Sequence, residues 1–335
     1  MATVPQTFSS LTAEKRDAFY IKALLIRALP NLVHAQFGQK ARSISIPRNQ
    51  GDTVNFRKFA SLPAVTTPLT EGVPPVPNSA SVSAITATVA QYGAFILYSD
   101  LLDMMSIDPV LTQYAQLLGE QAGITIDQLV RAVLVASGTE QLVNGRANHA
   151  AVLSTDIINA KEVMQSLATL EAANARPFEN GRYAGIIHPN SKFDLLNDST
   201  IQNMMVYAPD SAKNGLWTYK LGECLGVDWY VSSQANRTAD GYGSINVYDT
   251  LILGRDAYGT GGLASQMFGS APSSKDEPNT GKSVSPVSLI QKEIGSGGTD
   301  DPLDQKASIG WKTTFVAKVL NADFYVRLQH ACSLG

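Results

Sequence analysis

The feature that most restricts this chain is a group of five prolines, Pro63, Pro68, Pro74, Pro75 and Pro77, in the stretch SLPAVTTPLTEGVPPVPNSA at 61–80. Proline fixes φ and offers no backbone N–H, so the stretch can be neither a helix nor a central strand. Extended sequence flanks it on both sides. TVNFRKF at 53–59 and SVSAITATVAQYGAFILY at 81–98 are rich in β-branched and aromatic residues, and the second alternates at Ile85, Ala87 and Val89. The economical arrangement is one two-stranded ribbon over residues 52–98 with a stiff, proline-rich tip. Such a ribbon is marginal in water, because both edges are open and no second layer covers its apolar face. A helix of the same chain or a neighbouring molecule has to supply that layer, and the length of the projection favours the neighbour. The residues expected to touch it are Phe56, Arg57, Lys58 and Phe59 on the first strand, Glu71 at the tip, and Ile85 and Val89 on the second.

Ahead of the ribbon, residues 12–29 carry helix signals, with Thr12 as N-cap and Phe19, Leu24, Leu25 and Ile26 as apolar positions. Pro30 interrupts that helix and Gly38 closes the region. Beyond the ribbon, Asp108 and Pro109 open a long helix reaching about Ala136, with Val110, Tyr114, Leu118, Ala122, Ile126 and Val133 at helical spacing. At 1.5 Å per residue its length is roughly 40 Å. Gly119 and Gly123 in its middle predict a bend there. Another helix is expected over 155–174. The strand RYAGIIH, a short helix opened by Pro189, and the strands VDWYVSS and INVYDTLILG follow, making an α+β subdomain over 189–262.

Residues 264–300 are rich in Ser, Gly and Pro and read as a long surface excursion. The chain closes on two strands. Ile309, Trp311, Thr313, Phe315, Ala317 and Val319 alternate in the first, Phe324, Val326, Leu328 and His330 in the second, and Asn321-Ala322-Asp323 is the turn between them.

Charged residues make up 16% of the chain, against about a quarter in an ordinary globular protein. An uncharged polar surface and a surface given over to contacts with other chains explain this equally well. Residues 1–60 hold nine Lys/Arg against three Asp/Glu, and residues 61–138 hold one against six. A basic arm followed by an acidic segment fits electrostatic matching between copies, a basic arm near nucleic acid, or the solvated faces of one monomer. No apolar run approaches the roughly 20 residues of a membrane span, and the N-terminus lacks the order of a secretory signal. The protein is therefore expected to be made and kept in the cytosol. Cys224 and Cys332 suit neither a disulfide framework nor a zinc site and read as buried thiols.

No constellation for chemistry emerges. His34, His149, His188 and His330 are far apart, with no metal-ligand spacing. A nucleophile elbow, a Walker loop and a dinucleotide fingerprint are all missing. Asp300, Asp301 and Asp304 do not match a calcium loop, and Asp100 and Asp103 suit a helix start. The expectation is a non-catalytic protein with no cofactor and no metal.

The order of parts resembles the Hong Kong 97-type fold of tailed-phage major capsid proteins, and more narrowly the family typified by the N-four coliphage. The residues carrying the resemblance are TEGVPP at 70–75, SDLLDMMSIDPVL at 99–111, GEQAGITIDQLVRAVLVASGT at 119–139, HPNSKFDLLND at 188–198, VYDTLILGRDAYG at 247–259 and GSGGTDDPLDQKASIGWKTTFVAKVLNADFYVRLQHACS at 295–333. The resemblance implies an α+β capsid fold divided into an N-terminal arm (1–51), an extended β-hairpin loop (52–98), a peripheral domain with its spine helix (99–188) and an axial domain (189–262). A surface insertion (263–300) and C-terminal strands returning to the peripheral domain (301–335) complete it.

On the same resemblance, copies of the chain form hexamers and pentamers of an icosahedral shell around double-stranded DNA, touched non-specifically. Scaffolding, portal or decoration proteins are further partners, and no membrane is involved. The shell would be assembled in the host bacterial cytoplasm and end in the virion. A ribbon lysine linked to another subunit's asparagine occurs in some capsids of this fold, and Lys58 and Asn321 invite the comparison without a supporting motif. An encapsulin-like compartment is the near alternative. A hydrolase or carbohydrate-binding domain on an α+β scaffold is the distant one.

Overall fold

The computed structural model describes residues 24, 27–28, 31–40, 53–59, 62, 64–69, 71–72, 74, 77–105, 110–207, 222–261, 287–292, 294–295 and 301–334. Its first half contains β1 (Gln39–Lys40), β2 (Thr53–Phe59), β3 (Val82–Thr88), β4 (Ala90–Ser99), α1 (Asp100–Met105), α2 (Val110–Val135), β5 (Thr139–Leu142) and α3 (Ala160–Ala172). There follow β6 (Tyr183–Ile187), α4 (Pro189–Asn197), α5 (Ser199–Tyr207), β7 (Glu223–Cys224), β8 (Val227–Val231) and β9 (Arg237–Thr238). The last strands are β10 (Val247–Leu253), β11 (Tyr258–Gly261), β12 (Ser288–Lys292), β13 (Lys306–Val319) and β14 (Tyr325–His330).

The ribbon pairs β2 with β3, Thr53 opposite Thr88 and Phe59 opposite Val82. It is shorter than the expected 52–98. Past Val89 the chain changes partner, and β4 runs antiparallel to β13 from Ala90 opposite Phe315 to Ser99 opposite Lys306. The physical reason is burial. Tyr92, Ala94, Ile96 and Tyr98 point to one face of β4 and pack with Ile309 and Trp311 of β13 against Ala115, Leu118, Ala122 and Ile126 of α2. A second layer is thus available to β4 within the chain. Strand β13 also pairs with β12 and β11, and β11 with β1. The excursion expected over 264–300 therefore contains a strand, β12, whose Leu289 sits opposite Trp311. Residues 262–286 and 296–300 lie outside the described residues.

Helix α2 is one continuous element of 26 residues, and its glycines allow a close approach of another segment. A Cβ on Gly119 would collide with the Leu24 carbonyl, and one on Gly123 would stand 2.5 Å from the Ala28 oxygen. The N-terminal helical residues cross the spine at these two points. Leu24, Arg27 and Ala28 are helical; the rest of the expected helix over 12–29, and the caps Asp108 and Pro109, lie outside the described residues.

The second sheet has the order β5-β14-β10-β6-β8-β7, with β9 also on β10. Every residue of β6, β10 and β14 is buried, as expected of strands covered on both faces. Ile252, Val326 and Leu328 pack with Val163 and Leu170 of α3 and with Leu195 of α4. The alternate residues Leu251, Leu253 and Tyr325 pack with Val130 and Leu134 at the end of α2. The two closing strands do not form a hairpin: a one-turn helix at Ala322–Phe324 separates them, and β13 and β14 join different sheets. Helix α3 starts at Ala160, later than the expected 155, because Asn159 caps it by accepting the Glu162 N–H at 3.0 Å.

Candidate assembly interface

The ribbon is anchored at its root and uncovered beyond it. Val54, Phe56 and Ala87 are buried, and Ile85 and Val89, both half-buried, pack beside them with Val316 and Leu320. The Phe56 ring lies over Gly259, where a Cβ would come within 2.5 Å of it. Phe56 is thus covered by its own chain, while Arg57 and Lys58 are exposed. The Phe59 side chain lies outside the described residues. From residue 62 to residue 84 every described residue is exposed. Leu62 is 56%, Val65 72% and Leu69 74% accessible. Glu71 and Gly72 form a turn in this segment, with Gly72 at φ 77°, and both are exposed.

A second apolar surface lies on the outer face of β4. Phe95 and Leu97, which point away from α2, are 68% and 60% accessible. With Ile290 of β12, Phe95 flanks a cleft of about 470 Å³ lined by Gly93 and Gly310 and by Lys292 and Lys312. Apolar side chains exposed together on one face make it a candidate contact surface. Sequence reading overlooked this one, although the alternation of Phe95 and Leu97 with Tyr92, Ala94 and Ile96 was its signal.

The buried polar groups serve the architecture. His34 and Asp127 are fully buried, 2.6 Å apart, and Asp127 also accepts the His34 backbone N–H. The Tyr258 hydroxyl donates to the His34 carbonyl, so residues 31–40, α2 and β11 meet at one point. Burial alone would raise the Asp156 carboxyl, but hydrogen bonds from Arg146, the Leu153 N–H and Asn144 outweigh it and hold the group below its ordinary value. Burial lowers His330 to about 4; its Nε2 lies 2.9 Å from the Thr250 hydroxyl and its Nδ1 2.7 Å from the Ala331 carbonyl. His188 caps α4 by accepting the Asn190 N–H. Cys332, also buried, is pushed up to about 12.

Asp100 accepts the N–H of Leu101 at the start of α1, and Asp301 accepts that of Lys306. The Asp103 side chain and Asp300 lie outside the described residues. Among the described residues, no group of three or more His, Cys, Asp or Glu is placed to hold a metal, and no helix is long and apolar enough to cross a membrane.

A five-stranded sheet on a long helix, a second sheet whose strands β6, β10 and β14 are wholly buried, and a two-stranded ribbon with an exposed tip make up the described fold. A family model described as phage capsid protein matches residues 83–326, well over half of the chain, and the chain belongs to that family. No curated protein sequence is similar to it. Solved structures are. The capsid of cyanophage Pam1 superposes with a TM-score of 0.65 at 14% identity, over 99% of this chain and 100% of that one. The capsid of cyanophage P-SCSP1u gives 0.61 at 16%, over 90% and 89%. The capsid of Ralstonia phage GP4 gives 0.59 at 13%, over 84% of each chain. At such identities the likeness is one of fold, and the fold is that of Hong Kong 97-like major capsid proteins. The protein is a major capsid protein of the phage head shell.

Proposed function

We propose that the ribbon is the element that joins subunits, its tip lying across a neighbouring copy within hexamers and pentamers of an icosahedral head. The observation that carries this reading is the exposure of every described residue from 62 to 84, with Leu62, Val65 and Leu69 left uncovered by their own chain. Arg57, Lys58, Glu71 and the half-buried Ile85 and Val89 are the described ribbon residues available to a neighbour; Phe56 fixes the angle at which the ribbon leaves the body. On this reading β4, α2 and β11–β13 make the peripheral domain. The second sheet with α3–α5 makes the axial domain, so that β5, β6 and β14 belong to it as well. The protein acts without catalysis, its work being apolar burial and charge matching repeated over many contacts. Assembly takes place in the host cytoplasm, scaffolding, portal or decoration proteins are further partners, and packaged duplex DNA is touched non-specifically.

Deleting residues 61–80 tests the reading. The expected product is soluble and folded by far-ultraviolet circular dichroism, yet forms no particles in negative stain. Normal-sized particles from the deletion refute the role given to the ribbon.

A further inference from the structure

Cations gather at the root of the ribbon without a matching set of anions. Arg57 and Lys58 of β2 and Arg176, in the loop after α3, line a cleft of about 620 Å³ together with Gln39, Asn174 and Asn321, and Asp256 is the single carboxylate there. None of the three cationic side chains is ion-paired among the described residues. Three like charges around one cleft repel each other unless water or an anion screens them. The guanidinium forks match a carboxylate geometrically, and the amide side chains beside them can donate to its oxygens. The cleft is shaped and charged for a carboxylate arriving from outside.

The other end of the ribbon carries one. Glu71 is the sole acidic or basic residue between Lys58 and Asp100, and it stands exposed on the turn with Gly72. Its neighbours along the chain are apolar or uncharged, among them the accessible Leu69. A carboxylate delivered within an apolar segment sheds water as it docks, which strengthens its attraction to a cation above that of an open surface pair.

We infer that Glu71 of one copy seats its carboxylate in the Arg57–Lys58–Arg176 cleft of the next, so that ribbons join tip to root around a ring. The inference rests on the reading that the ribbon crosses to a neighbour, and it names the contact that crossing makes. A tip-to-root contact is heterologous: two different surfaces meet, and repetition closes a ring when the rotation allows. Charge complementarity of this sort also sets which neighbour is accepted, because a like-charged pairing at the same place is repelled.

A charge swap in the full-length purified protein, free of phage DNA, tests the pairing. Glu71→Arg and Arg176→Glu are each expected to lower particle yield about tenfold or more, read by sedimentation and by counting in negative stain. The double variant is expected to recover most of it. If both single variants assemble like the parent while the 61–80 deletion does not, the tip-to-root pairing is overturned and the ribbon's role stands. If the deletion itself assembles, the wider reading fails. If the singles fail but the folded double variant does not recover, the pairing is again overturned. If Arg176→Glu assembles normally but loses retention of duplex DNA on filters, the cleft belongs to phosphate and not to Glu71. Circular dichroism establishes that each variant folds, and Lys58→Glu takes the place of Arg176→Glu in the swap should the latter not fold.

Discussion

The strands β10 and β14 and the ribbon segment 62–84 draw on the same apolar side chains to opposite ends. In β10 and β14 every residue is buried, and Leu251, Ile252, Val326 and Leu328 are sealed between α3 and α4 on one face and the end of α2 on the other. In the ribbon segment every described residue is exposed, Leu62, Val65 and Leu69 included. The leucines and valines themselves do not separate the two regions. The availability of a second layer does: helices of the same chain close the sheet, and nothing described in this chain closes the tip. Burying apolar surface stabilises by roughly 25 cal/mol per Å² wherever the covering atoms come from. The first region gains that free energy on folding the subunit, and on the proposed function the second gains it on association.

Mutations sharpen this contrast in descending order of effect on the isolated subunit. Leu328→Ala, in the sealed sheet, is expected to cost about 2–5 kcal/mol in urea unfolding, whereas Leu69→Ala costs less than about 0.5 kcal/mol. Equal losses would break the comparison.

Acid provides the next test. His330 is held neutral, its value lowered to about 4 from an ordinary 6.5. Between those values the unfolded chain binds the proton and the folded chain does not, so stability is complete above pH 6.5 and falls as the pH drops towards 4. The full effect is about 3 kcal/mol. Asp249, raised by burial, works in the opposite sense, and Asp156, held low, contributes stability that is lost only at still lower pH. Unfolding measured from pH 7 to 4 is expected to slope in the parent protein and to flatten in His330→Gln.

Gly119→Ala is expected to cost about 1–3 kcal/mol through the forced contact with Leu24, outweighing the gain of up to ~1 kcal/mol in helix propensity. A net gain in thermal midpoint would mean that the crossing at Leu24 yields easily. The triple change Leu62→Ser, Val65→Ser and Leu69→Ser closes the series. It should leave subunit unfolding within about 0.5 kcal/mol of the parent while particles disappear in negative stain, and a large drop in subunit stability would show the tip to be part of the fold after all.

Much of the fold was legible because alternation and helical spacing are properties of local sequence. The run from Ile309 to Val319 announced β13, and Val110 to Val133 announced α2. What alternation reports is which side chains share a face, and it is silent about which strand lies alongside. For that reason β13 and β14 were read correctly as strands while their membership of different sheets was missed, and the change of partner at Val89 passed unnoticed. The role of the glycines of α2 in packing was hidden for a related reason. Within one helix Gly119 and Gly123 look like weak points, and only the backbone of Leu24 and Ala28 shows them to be points of contact. The His34–Asp127 pair, 93 residues apart in sequence, had no local signal. Of the proposed interface, the proline-rich tip was legible from Pro63 to Pro77. The Arg57–Lys58–Arg176 cleft was not, since it gathers residues from distant segments, whereas the outer face of β4 carried a local signal in the alternation of Phe95 and Leu97 that sequence reading passed over.

By itself the sequence determined that a stiff extended segment at 61–80 has no place in a helix or a central strand, because proline constrains the backbone wherever it occurs. It determined equally that the closing residues are strands with one apolar row each. Tertiary structure alone decided that Phe56 is spent at the root over Gly259, that β4 abandons the ribbon for β13, and that Leu62, Val65 and Leu69 are left uncovered. Each of those outcomes depends on which surfaces meet after the chain has folded, and burial is a property of the meeting and not of either residue.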